Sequence, residues 1–197
     1  MNFLYFKGVV MRKLKGILTG LVLVTFLSAA FAKGAVEPIT VALTEANRWG
    51  TDATFADGVY GADGSVTYTA MYKYGGGGYT FNINGKTGIN LKDYSSVEIE
   101  FEYQTGAWEK PSVMPKFGIK YWGAGATFFN GGQPLDWIDA EAPKGTVKKS
   151  IDLKGKSGKA LRIGIVSNSW QWEGNGDGSN TGDDTVIIKV KSIKFIP

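Results

Sequence analysis

Trp170 and Trp172 sit one residue apart in SNSWQWEGNGDGSNTGDDT, Ser167 to Thr185, and a polar stretch follows at once. Flat apolar rings beside amides and carboxylates suit a ligand with apolar planes and hydroxyl edges. A sugar is such a ligand. Its C–H face stacks on Trp, and Asn, Gln, Arg or Asp satisfy its hydroxyls. The same stretch holds Glu173, Asn175, Asp177, Asp183 and Asp184. Calcium draws about six to eight oxygens from loops of this kind. EF-hand spacing is absent, because the twelfth position counted from Asn175 is Val186. Asp177, Asp183 and Asp184 are the candidate calcium ligands, and a solvated connection is the plainer alternative. A third group is Glu98, Glu100 and Glu102 in EIEFE. Alternate Cα atoms on a strand lie about 6.6–6.8 Å apart. Glu98 and Glu102 are then roughly twice that apart, beyond the ~5–5.5 Å of a retaining glycosidase pair unless a bulge pinches them. The chain has no His and no Cys. That excludes Ser-His-Asp and Cys-His catalysis and His- or Cys-ligated zinc.

The elements that must position these residues read as strands. SVEIEFEY (Ser96 to Tyr103) alternates Val97, Ile99, Phe101 and Tyr103 against Ser96 and the three Glu. KFGIKYW (Lys116 to Trp122) puts Phe117, Ile119 and Tyr121 on one face and Lys116, Gly118, Lys120 and Trp122 on the other. LRIGIVS (Leu161 to Ser167) gives Leu161, Ile163 and Ile165 to the core. Continued in phase, Arg162, Gly164, Val166, Asn168, Trp170 and Trp172 share the opposite face. A bulge between Ile165 and Trp170 would return the two rings to the core. TVIIKVKSIKFI (Thr185 to Ile196) changes phase between Val190 and Ile193, so a bulge is expected near Lys191-Ser192. Further strands are expected at Thr40 to Glu45, Ser65 to Met71, Tyr79 to Ile83, Ala126 to Phe129 and Val147 to Leu153. Gly75 to Gly78 fits a hairpin tip or a mobile binding loop. Trp108 (TGAWEKPS) and Trp137 (QPLDWID) fall in expected loops that border a cleft, and Trp49 reads as core. No helical stripe is sustained. The expected fold is all-β, an antiparallel two-sheet β-sandwich of jelly-roll type.

Residues 1–32 read as a secretory signal peptide: Arg12, Lys13 and Lys15, an apolar run Ile17 to Phe31, then Ala30-Phe31-Ala32. Met11 offers a tidier start than Met1. Residues 33–38 are a short tether, and 39–197 the sandwich. The leader carries Lys7, Arg12, Lys13 and Lys15 and no acid. Removing those four from 22 basic residues leaves 18, against 18 acidic. A neutral chain gives no electrostatic ground for nucleic acid, or for a membrane once the leader is removed. The expected location is secreted, extracellular or periplasmic.

The order GINLKDYSSVEIEFEY, KFGIKYW, GTVKKSIDLKGKSGKALRIGIVS, DDTVIIKVKSIKFI resembles the jelly-roll carbohydrate-binding modules of secreted cellulases and xylanases, in the galactose-binding-like group. The likeness covers Gly88 to Ile196. Many such modules carry an Asp in the last strand that helps hold a structural calcium; Lys191 stands at the matching position. EIEFE also resembles in shape the E-x-D-x-E motif of jelly-roll β-glucanases, with Glu100 in place of the Asp. The carbohydrate-binding resemblance implies a non-catalytic module needing no cofactor, a monomer or an appendage of a secreted enzyme. It would bind a single β-glycan chain: amorphous cellulose, β-glucan, xyloglucan or xylan. The expected sugar-binding residues are Trp122, Trp170, Trp172, Arg162, Asn168, Gln171, Lys120, Trp108 and Trp137. The alternatives are a small glycoside hydrolase using Glu98 and Glu102, and an extracellular protein-interaction domain.

Overall fold

Alternating apolar residues bury one face of a strand, and two such faces pack together. In a computed structural model of the chain this principle shapes almost every ordered segment. The structure describes residues 35–51, 58–71, 77–105, 114–127, 130–168 and 185–197. The leader, 1–32, lies outside them. The described strands are β1 (Ile39–Thr40), β2 (Arg48–Thr51), β3 (Val59–Tyr60), β4 (Val66–Met71), β5 (Gly77–Asn82) and β6 (Ile89–Asn90). They continue as β7 (Ser96–Thr105), β8 (Lys116–Trp122), β9 (Gln133–Asp139), β10 (Lys144–Asp152), β11 (Lys159–Ala160), β12 (Arg162–Asn168) and β13 (Thr185–Ile196).

One sheet runs β10-β7-β13-β4-β3, with β1 also on β13; the other runs β2-β5-β12-β8-β9. A short β11-β6 ladder lies apart. The ladders of both sheets are antiparallel. The chain changes sheet from β4 to β5, β7 to β8, β9 to β10 and β12 to β13. With β4-β13-β7-β10 facing β5-β12-β8-β9, that winding is a jelly roll.

The core lies between the sheets. β7 supplies Val97, Ile99 and Phe101, β8 supplies Phe117 and Ile119, β12 supplies Ile163 and Ile165, and all are at most 1% exposed. Phe101 meets Phe117 edge-on at 5.1 Å between ring centroids. Tyr68 and Tyr79 stack across the sheets at 4.5 Å, and the Tyr68 hydroxyl donates to the Ile165 carbonyl at 2.8 Å. That bond matters because an unmet buried hydroxyl would cost about 1–3 kcal/mol. Burial pushes the Tyr68 phenol well above its ordinary value.

The expected bulge in β13 is present. Its register with β7 shifts between Val190 and Ser192, so Val186, Ile188 and Val190 before it and Ile193 and Phe195 after it all reach the core. Some expected strands are shorter or absent. Only Ile39–Thr40 of the first forms a strand, because a 3-10 turn follows at Glu45–Asn47; Val41 and Leu43 are still buried. Ala126 and Thr127 are not in a strand. Reciprocal backbone hydrogen bonds between Thr127 and Asn130 close a turn there instead. Gly77 and Gly78 are no hairpin tip: they begin β5, where a Cβ on Gly78 would lie 2.7 Å from Val166 Cα. Among the described residues no helix is long and apolar enough to cross a membrane.

Candidate functional site

Strand register builds the outer face of the β2-β5-β12-β8-β9 sheet in rows. Gly118, Val166 and Gly78 align across β8, β12 and β5. Lys120, Gly164 and Thr80 form the next row, and Trp122, Arg162 and Asn82 the third. All stand opposite Phe117, Ile119, Ile163 and Ile165, as the period-two phase requires. Trp122, Lys120 and Arg162 therefore share the face the sequence assigns them.

The structure corrects what is open on that face. Trp122 is 1% exposed. The chain after β8 returns over it, and a Cβ on Gly132 would lie 2.8 Å from the indole Nε1. Trp122 is therefore no open stacking surface. Thr80, Asn82 and Val166 are also buried. Gly164 does not reserve space for a ligand: a Cβ there would strike the Tyr79 carbonyl and come within 2.6 Å of Thr80 Cγ2. It is needed for close strand packing.

Among the described residues of that face, the accessible aromatic is Trp137. It lies on strand β9, not in a loop, and pairs with Gly118. A Cβ on Gly118 would sit 2.6 Å from Trp137 Cζ3, so the ring rests over Gly118 on the outer face, half-exposed. The Lys120 ammonium stands 5.0 Å from the ring centroid, an attraction of about 0.5–2 kcal/mol. Partial burial lowers the Lys120 pKa below its ordinary value. Arg162, half-buried on the neighbouring strand, donates from Nη1 to the Gly123 carbonyl at 3.3 Å, and burial lowers its pKa too.

A bulge hid Trp137 from sequence reasoning. The β8–β9 register steps from Asp136 to Pro134 opposite Ile119 and Lys120. Leu135 is the extra residue and is buried. Leu135 and Trp137 have the same parity in QPLDWID, yet the bulge sends them to opposite faces. Asp136 bridges the sheets: its Oδ2 meets Lys149 Nζ of β10 at 2.6 Å, and its Oδ1 accepts the Trp137 amide at 2.8 Å. Asp139 pairs with Lys116 at 3.3 Å.

Trp108, Trp170, Gln171 and Trp172 lie outside the described residues, as do Asp177, Asp183 and Asp184. Asn168 is the last residue of β12 and pairs with Lys116; its side chain lies outside what is described, as does that of Trp49.

Glu98, Glu100 and Glu102 are on the outer face of the other sheet. Glu100 pairs with Lys148 at 3.4 Å and Glu102 with Lys191 at 2.5 Å. Lys191, where the resembled modules carry an Asp, thus serves this ladder. Its hydrogen bond holds Glu102 below the ordinary carboxyl range, whereas a glycosidase general acid needs a raised value. An open depression of about 430 Å³ lies beside Glu102, with Gln104, Thr146, Ile187 and Lys189 in its wall.

No protein-family model matches the chain, and no curated protein does. Among solved structures it is similar to the xylan-binding module CBM15, at 17% identity and a TM-score of 0.48, covering 82% of this chain and 96% of that one. It is similar to CBM29_1, a family 29 carbohydrate-binding module from Piromyces equi, at 15% identity and a TM-score of 0.38 over 81% and 89%. A GH131 β-glucanase catalytic domain from Podospora anserina is also similar, at 10% identity and a TM-score of 0.35 over 81% and 85%. These are likenesses of fold. Carbohydrate-binding modules, the class the sequence resembles, are among them.

Proposed function

We propose that this chain is a secreted, non-catalytic carbohydrate-binding module for a single β-glycan chain of the cellulose, β-glucan, xyloglucan or xylan type. The observation that carries this is Trp137. It is a half-exposed indole held over Gly118 on a sheet face, with Lys120 beside it and Arg162 on the next strand. An indole plane stacks on a pyranose C–H face, and the flanking donors bind hydroxyls. Trp170 and Trp172, which follow β12 in the sequence, are proposed as further stacking rings. The leader expected at 1–32 supports export.

Affinity electrophoresis against a panel of soluble β-glycans tests this function. Retardation by at least one, lost in Trp137→Ala, is expected. No retardation by any polysaccharide overturns it, and capture of a protein partner without glycan affinity would then favour an interaction domain. Reducing-sugar release by the wild type, abolished in Glu98→Gln, would favour the hydrolase instead.

A further inference from the structure

Among the described residues, the cation at Trp137 has no acidic partner. Each described acid on β9 is already engaged, Asp136 with Lys149 and Asp139 with Lys116. Among the described residues no carboxylate pairs with Lys120. The Lys120 residue is nonetheless partly buried, with its ammonium over the indole that would stack on the sugar. A partly desolvated ammonium beside a stacking ring favours an anion carried by the ring's own ligand. In β-glycans of the xylan type proposed above, such an anion is the carboxylate of a uronic acid.

We propose that this face selects β-glycans bearing uronic acid units, with the uronate carboxylate seated at the Lys120 ammonium while a pyranose ring stacks on Trp137. This rests on the glycan-binding function above and names the chemical class within it. The balanced charge of the chain after its leader makes such a preference local to the site, not a general attraction to polyanions.

The test uses one polymer in two forms. A glucuronic-acid-substituted xylan is compared with the same sample after reduction of its carboxyl groups to hydroxymethyl groups. Dissociation constants for the full-length mature protein are measured by affinity electrophoresis in low salt. The native polymer is expected to bind about three- to tenfold more tightly than the reduced one, and added salt should shrink the gap. Lys120→Met removes the charge while keeping an unbranched side chain and should bring the two forms together, while Lys120→Arg should keep them apart. A thermal melt checks that both variants fold. Equal affinity of the wild type for the two forms overturns the proposal and leaves glycan binding standing. A preference that survives in Lys120→Met also overturns it. Binding to neither form, nor to any neutral glycan, breaks the glycan-binding function itself.

Discussion

The two outer faces of this sandwich carry similar charged side chains and use them in opposite ways. On the β10-β7-β13-β4-β3 sheet, acids and lysines alternate across the register. Glu98 faces Lys194 and Ser150, Glu100 faces Lys148, and Glu102 faces Lys189. Each Glu there has a cation on a neighbouring strand, and two of the three close ion pairs, Glu100 with Lys148 and Glu102 with Lys191. On the β2-β5-β12-β8-β9 sheet, the Lys120 ammonium stands over an indole, and the described acids of β9 pair with Lys149 and Lys116 instead. On the first face most of the charge is already paired within the sheet. A cation over a half-exposed ring, with no described acid paired to it, leaves an interaction still to be made, and that difference supports the proposed site on the second face.

The largest effect should come from Trp137→Ala. Loss of a central aromatic anchor costs about 2 kcal/mol or more, roughly a thirtyfold weaker glycan dissociation constant. Isothermal titration would show it, with the melting temperature little changed. Full affinity in this variant would erase the contrast between the faces. Next is Gly118→Val, whose added carbons occupy the place of the Trp137 ring. Affinity should fall about tenfold as the ring is displaced, with overpacking costing about 1–3 kcal/mol of stability. Changed tryptophan fluorescence would accompany it, whereas unchanged binding would show that ring placement over Gly118 is irrelevant.

Smaller effects belong to the ladder. The double change Glu98→Gln with Glu102→Gln should leave glycan affinity within about twofold, since both residues lie on the far sheet. A marked loss would move the site there. The last prediction concerns acid. Glu102 has a depressed carboxyl in the folded state, with 4.5 as its ordinary value. It therefore contributes stability above that value and loses it as the pH falls through the depressed one. Melting temperature should drop in acid slightly less steeply in Glu102→Gln than in the wild type, and identical slopes would show that the Lys191 contact contributes nothing.

Period-two alternation makes β7, β8, β12 and the two halves of β13 legible in the sequence, because each has one wet and one dry face. Even the bulge at Lys191-Ser192 is legible, since Val190 and Ile193 cannot both be buried without one. The same rule places Trp122 on the correct face and misjudges its exposure. Alternation tells which way a side chain points, not what a later loop lays over it, and Gly132 is ten residues away. Trp137 escapes for another reason. Pro134 and the short polar spacing of QPLDWID look like a loop, but β9 is an edge strand, where Pro is tolerated. Its bulge also spoils the parity by which Trp137 would have been read.

The Lys149–Asp136 contact does more than join the edges of the two sheets. The carboxylate it fixes also holds the Trp137 amide, so the backbone that carries the proposed stacking ring is held by a strut anchored in the sheet it does not belong to. Removing that strut, as in Lys149→Met, would leave every group on the glycan-facing surface in place but blur their alignment. A module of this design would lose selectivity between closely related sugars before it lost the ability to bind them.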